Sequence, residues 1–197
     1  MNKIVRIFQE NNGYARMFEL KKAGISTRNI AQAVESEIIH KVKPGLYKLI
    51  DYQWDEHSSF ADICNANKKA VVCLLSAASY YELTSFNPQD VYVAVPSNTD
   101  KFVIKYPPLR VYYFTKRLYE SGIEIITTNS GQVKIYNKEK TVCDLFRYIN
   151  KLGEDVAIES LKEYLRNNGR RTIPNLLEYA DICGVRGKIE PVIKVIL

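Results

Sequence analysis

Between residues 24 and 49 the apolar spacing changes from helical to alternating around two turn signals, which constrains the fold more than any other feature of the chain. Gly24 closes a short segment, and Ser26 is of the type that caps a helix by accepting a bond from a backbone N–H. Over residues 27–38, Ile30, Val34 and Ile38 recur at i, i+4 and i+8 with Ala31 beside them, making one apolar stripe. At about 100° per residue, Arg28, Gln32, Glu35 and Ser36 fall on the opposite face, with Asn29 at its margin. Ile39-His40-Lys41-Val42 and Leu46-Tyr47-Lys48-Leu49 then alternate on either side of Lys43-Pro44-Gly45, which predicts a hairpin with a Pro-Gly turn.

The residues upstream complete a unit. Ile4, Ile7 and Phe8 predict a helix over residues 2–11, and Asn11-Asn12-Gly13 stops it. Tyr14-Ala15-Arg16 suits a short strand, and residues 18–23 a short helix. A short helix, a tight turn with Gly and a second amphipathic helix form the helix-turn-helix pattern, and a hairpin directly after it is a wing. Arg, Asn and Gln are the side chains able to contact base edges bidentately in a major groove. Thr27, Arg28, Asn29 and Gln32 are thus candidate base-reading residues, Lys41 and Lys43 candidate phosphate contacts, and Arg16, Lys21 and Lys22 candidate supports. The net charge of +6 agrees with this, because residues 1–50 hold nine basic side chains against four acidic ones. The alternative is a solvated basic face on a small helical bundle with an incidental hairpin.

Composition excludes several classes. No apolar run reaches the ~18 residues of a membrane span, and the charged, helical start is unlike a signal peptide. The expected compartment is therefore the cytoplasm. Cys64, Cys73, Cys143 and Cys183 stand alone among apolar neighbours, as small buried hydrophobes do in a reducing compartment. With His40 and His57 the only histidines, neither a structural metal nor a cofactor is expected. The chain holds no Gly-rich phosphate loop, Ser76 lacks the glycines of a nucleophile elbow, and the acid-x-Lys triplet Glu19-Leu20-Lys21 lies in the basic N-terminal unit. An enzyme is not expected.

Beyond a connector at 51–58, where Trp54 is placed to dock one domain on the other, helices are predicted over 60–66 and 70–83, with Pro88 opening the next segment. Strands are predicted over 91–95, 109–114, 123–128 and 133–136, then helices over 140–150, 155–167, 174–183 and 188–195. The fold class is α+β: a winged helix-turn-helix domain over 1–52, then a larger domain over 58–197 with about four strands and a helical tail. The tyrosine pairs Tyr80-Tyr81 and Tyr112-Tyr113 are read as packing residues, since no RNP-like motif accompanies them. Arg170-Arg171 is the compact basic spot of the tail, read as a solvated loop between helices.

The run Gly24-Ile25-Ser26…Ile30…Val34…Ile38 to Leu49 resembles the winged-helix signature of the AbiEi antitoxins of type IV toxin–antitoxin systems. Ser76 to Leu83 is similar to that family's helix before its first long strand, Val91–Pro96 to the strand itself, and Lys140 to Leu145 to its Thr-x-x-Asp segment, here Thr141 and Asp144. Pro44 stands where the usual wing has Arg before Gly, so Lys43 or Lys41 would take that contact. The resemblance implies a protein that binds inverted repeats in its own promoter and represses the operon. It further implies that the C-terminal domain counteracts a nucleotidyltransferase-like toxin without a stable complex, and a role in abortive phage defence. Two other classes stay open from the residues: a nucleic-acid-processing enzyme targeted by the winged helix, and a regulator whose larger domain senses a ligand.

Overall fold

The computed structural model describes residues 3–53 and 57–196. Trp54, the expected docking residue, lies outside the described residues. The chain forms two compact units: one holds the residues up to Lys68 together with 103–108 and 127–133, the other holds the rest.

The first unit runs α1 (Lys3–Glu10), β1 (Tyr14–Arg16), α2 (Met17–Lys22), α3 (Thr27–Glu35), β2 (Ile39–Lys43), β3 (Leu46–Leu49) and α4 (Ser58–Ala66). Ile4 and Phe8, one turn apart on α1, are buried with Leu20, Ile25, Ile30, Ala33, Ile39 and Leu49 in a single apolar cluster. The strands make an antiparallel sheet in the order β1-β3-β2, with Tyr14 opposite Lys48 and Ile39 opposite Leu49. Gly45 has φ of +80° at the hairpin turn, which an L side chain rarely adopts, and Pro44 supplies the fixed φ before it.

α3 ends at Glu35, a turn earlier than the predicted 38. Glu37 takes φ of +53°, and the Ile38 N–H reaches back to the Ala33 carbonyl at 2.9 Å, closing the helix so that Ile39 can open a strand. Ala33, not Ala31, shares the buried face with Ile30; Ala31 is exposed. The first unit also extends past the expected boundary at 52. The Asp62 carboxylate of α4 is 3% exposed, and it accepts from the Tyr14 hydroxyl at 2.7 Å and the Lys48 amine at 2.6 Å.

The second unit carries β4 (Val71–Val72), α5 (Leu74–Tyr80), β5 (Val91–Pro96), β6 (Leu109–Phe114), α6 (Lys116–Glu120), β7 (Ile123–Thr128), β8 (Gly131–Tyr136), α7 (Lys138–Arg147), α8 (Ile149–Leu152) and α9 (Glu154–Asn168). A 3-10 turn (Arg170–Thr172), α10 (Ile173–Cys183) and α11 (Arg186–Ile196) complete it. The tip of the β7–β8 hairpin groups with the first unit. The sheet order is β6-β5-β4-β8-β7, with β4 antiparallel to β5 and parallel to β8, and β5 parallel to β6. This is the α+β class expected, with one strand more. Residues 70–83 do not form one helix: Val71–Val72 is a short central strand, and Leu74 takes φ of +48° as the first residue of α5. A short apolar run suits buried strand and buried helix alike. The large core of this unit includes Phe114, Tyr136, Phe146, Leu161, Leu176 and Ile189 together with Cys73, Cys143 and Cys183, and Cys64 is buried in the first unit. Among the described residues no helix is long and apolar enough to cross a membrane.

Candidate nucleic-acid interface

Within the first unit, α3 turns Ile30 and Ala33 into the core and presents Thr27, Arg28, Asn29 and Gln32 to solvent. Its start is fixed by Ser26, whose hydroxyl accepts from the Asn29 N–H at 3.1 Å and satisfies one of the free donors of the first turn. A groove of about 290 Å³ lies beside the exposed face, lined by Asn29, Gln32 and Ser36 of the helix region together with Ile4 and Ile38. Lys21 and Lys22 are exposed at the end of α2, and His40 and Lys41 are exposed on β2. The sequence reading had not singled out His40.

The other expected cations are placed differently. The Lys43 amine donates to the Ala66 carbonyl, and the Arg16 guanidinium donates to the Asn65 carbonyl at 3.2 Å. Both carbonyls lie in the last turn of α4, where backbone acceptors lack helical partners and the dipole is negative. Together with Lys48 on Asp62, they spend three of the sheet's basic side chains on α4. Of the cations expected to meet DNA, Lys21, Lys22, Arg28 and Lys41 are thus exposed, whereas Arg16 and Lys43 are half-buried struts. Nothing local in the sequence marks these pairs, which join residues 14 to 49 positions apart.

Thr141 and Asp144 sit in the second unit with no solvent exposure. The Thr141 hydroxyl lies 3.3 Å from the Tyr136 carbonyl, and the Asp144 carboxylate accepts from the Lys140 amine one turn earlier on α7. That amine, itself fully buried, sits 4.5 and 4.8 Å from the Tyr136 and Phe114 ring centroids. Burial pushes the Asp144 carboxyl above its ordinary value, while the Lys140 and Arg147 charges pull it down. In the folded chain these motif residues hold α7 in the core and have no surface to offer a partner. Arg170 and Arg171 are exposed. Among the described residues no group of three or more His, Cys, Asp or Glu side chains is placed to hold a metal ion.

Neither a family model nor a curated protein matches the chain. A solved structure does: the RV2827C protein from Mycobacterium tuberculosis superposes with a TM-score of 0.62 over 96% of this chain and 79% of that one, at 9% identity. The two share a fold.

Proposed function

We propose that this chain is an autorepressing antitoxin of a type IV toxin–antitoxin system, acting in the cytoplasm. The winged helix would bind an inverted repeat in its own promoter, and the larger unit would counteract a nucleotidyltransferase-like toxin without a stable complex. The observation that carries the DNA-binding part is the outward face of α3. Thr27, Arg28, Asn29 and Gln32 are all exposed there, next in sequence to a three-stranded sheet bearing Lys41. The toxin-directed part rests on the succession of family-like segments in the sequence.

Binding to the upstream promoter fragment, compared with scrambled DNA across a salt series, tests the first part. Arg28→Ala is expected to cost about 1–3 kcal/mol on the operator and to relax specificity at one position. If Arg28→Ala and Gln32→Ala bind operator as the parent does, the interface is elsewhere. For the second part, co-expression with the product of an adjacent nucleotidyltransferase-like gene should restore growth, and failure to rescue any such toxin removes the antitoxin reading.

A further inference from the structure

In the second unit residues of the edge strand β6 and helix α8 line an open cleft of about 560 Å³, within the roughly 300–1,000 Å³ of small-molecule sites. Its walls include Tyr92, Tyr112, Tyr113 and Tyr148, with Arg110 and Lys151 the charged residues among them and no carboxylate. Tyr92 and Tyr112 stack at 6.0 Å between centroids, and Tyr148 meets Tyr112 edge-on at 4.9 Å, so the rings form a fixed aromatic surface. The Lys151 amine lies 5.9 Å from the Tyr148 ring centroid. Arg110 uses its Nε on Asp90 at 2.6 Å, an exposed pair that leaves the terminal nitrogens for a second acceptor. The Arg147 guanidinium lies 5.3 Å from the Tyr148 ring centroid, and its Nη1 is buried without a protein acceptor among the described residues.

Aromatic faces with two cations alongside, one of them shared with Asp90 and neither facing a carboxylate in the lining itself, favour an anion that carries a flat ring. We propose that this cleft binds a nucleoside 5′-phosphate unit, its base against the Tyr112 and Tyr148 rings and its phosphate between Arg110 and Lys151. Burial keeps the Tyr112 phenol protonated, pushing it up to about 12, so it offers the ligand an uncharged hydrogen-bond donor. The site is independent of the duplex-binding reading of the first unit. Its ligand would be either a free nucleotide or one residue of a single strand.

Calorimetric titration of the full chain with AMP, UMP, the two nucleosides, inorganic phosphate and a pentauridylate separates these cases. The monophosphates should saturate, with the nucleosides weaker by about fivefold or more. Tyr148→Ala should lower nucleotide affinity about 5- to 100-fold, and Tyr148→Phe, which keeps the ring, should restore it. Lys151→Ala should weaken the monophosphates and leave the nucleosides as they were. A pentamer bound about tenfold or more tighter than UMP identifies a single strand, and equal binding identifies a free nucleotide. The proposal falls if neither monophosphate saturates by about 5 mM, if inorganic phosphate binds as well as they do, or if both alanine variants titrate like the parent.

Discussion

Lys41 and Lys43 lie two residues apart on one strand, yet they have different neighbours. The exposed Lys41 amine is available to a phosphate, whereas the Lys43 amine already has the Ala66 carbonyl. Lys41→Ala is therefore expected to weaken binding to all duplexes alike and to reduce the log–log salt slope by about 1. Lys43→Ala should leave that slope unchanged and instead cost about 1 kcal/mol of stability, read from urea denaturation. Equal salt slopes for the two variants would reverse the assignment. Asp62 concerns stability alone. Replacing it with Ala leaves the Lys48 amine, on a side chain 19% exposed, without its carboxylate and the Tyr14 hydroxyl without its acceptor. Loss of such a pair costs about 3–5 kcal/mol when it is fully buried, so a value toward the lower end is expected in urea melts. The base-reading candidates were legible because helical spacing alone decides which side of α3 faces out. The struts were not, because a cation's partner in another element leaves no trace in local pattern.

At the scale of elements, turn chemistry was the most legible part. Gly13, Gly24 and Pro44-Gly45 mark the ends of α1, α2 and β2, and β6 and β7 lie where their β-branched and aromatic runs predicted. What escaped was structure decided by tertiary contact: the two-residue β4, whose neighbour Cys73 donates its N–H to the Tyr92 carbonyl at 3.0 Å, and the short α6. Helix α7 shows the same limit in its side chains, since nothing in the i, i+4 spacing of Lys140 and Asp144 reveals that both are fully buried. Either Lys140→Met or Asp144→Leu alone should destabilise by about 3–5 kcal/mol, and the double variant should recover most of that, as buried pairs replaced together by apolar groups do. A double-mutant cycle in urea checks it, and additive losses would contradict it. Helix α9 supplies a pH-dependent tie. Glu159 accepts from the Thr84 hydroxyl at 2.7 Å and from the Ser85 N–H and hydroxyl at 3.0 and 2.8 Å, which hold its carboxyl below the ordinary value of 4.5. A depressed carboxyl stabilises the fold above its unfolded pKa and loses that contribution as the pH falls through the folded one. The Tm gap between the parent and Glu159→Gln should thus be present at neutral pH and close below about pH 4.5. A constant gap across that window would mean the hydrogen bonds alone, and not the charge, stabilise the 84–86 turn.

At the scale of the whole molecule, the chain enters and leaves its first unit repeatedly, because 103–108 and 127–133 join residues up to Lys68. A domain boundary read from composition assumes that each unit is one continuous stretch, so α4 and the hairpin tip were assigned to the later domain. The physical ties run the other way: α4 holds the sheet through Asp62, Asn65 and Ala66, and the Tyr52 hydroxyl lies 3.4 Å from the Asn129 carbonyl. Fragments should therefore rank by how many of these ties they keep. Residues 1–52 alone lack the α4 contacts of the Tyr14, Arg16, Lys43 and Lys48 side chains, and four lost polar contacts at about 0.5–1.5 kcal/mol each are a large share of a small unit's stability. Residues 1–68 restore α4 but not the hairpin tip. Urea midpoints are expected to rise from 1–52 to 1–68, and Asp62→Ala in the longer fragment should remove most of the gain. If the two fragments melt alike, α4 rests on the sheet without stabilising it, and Arg16 and Lys43 return to the set of side chains free to meet a duplex.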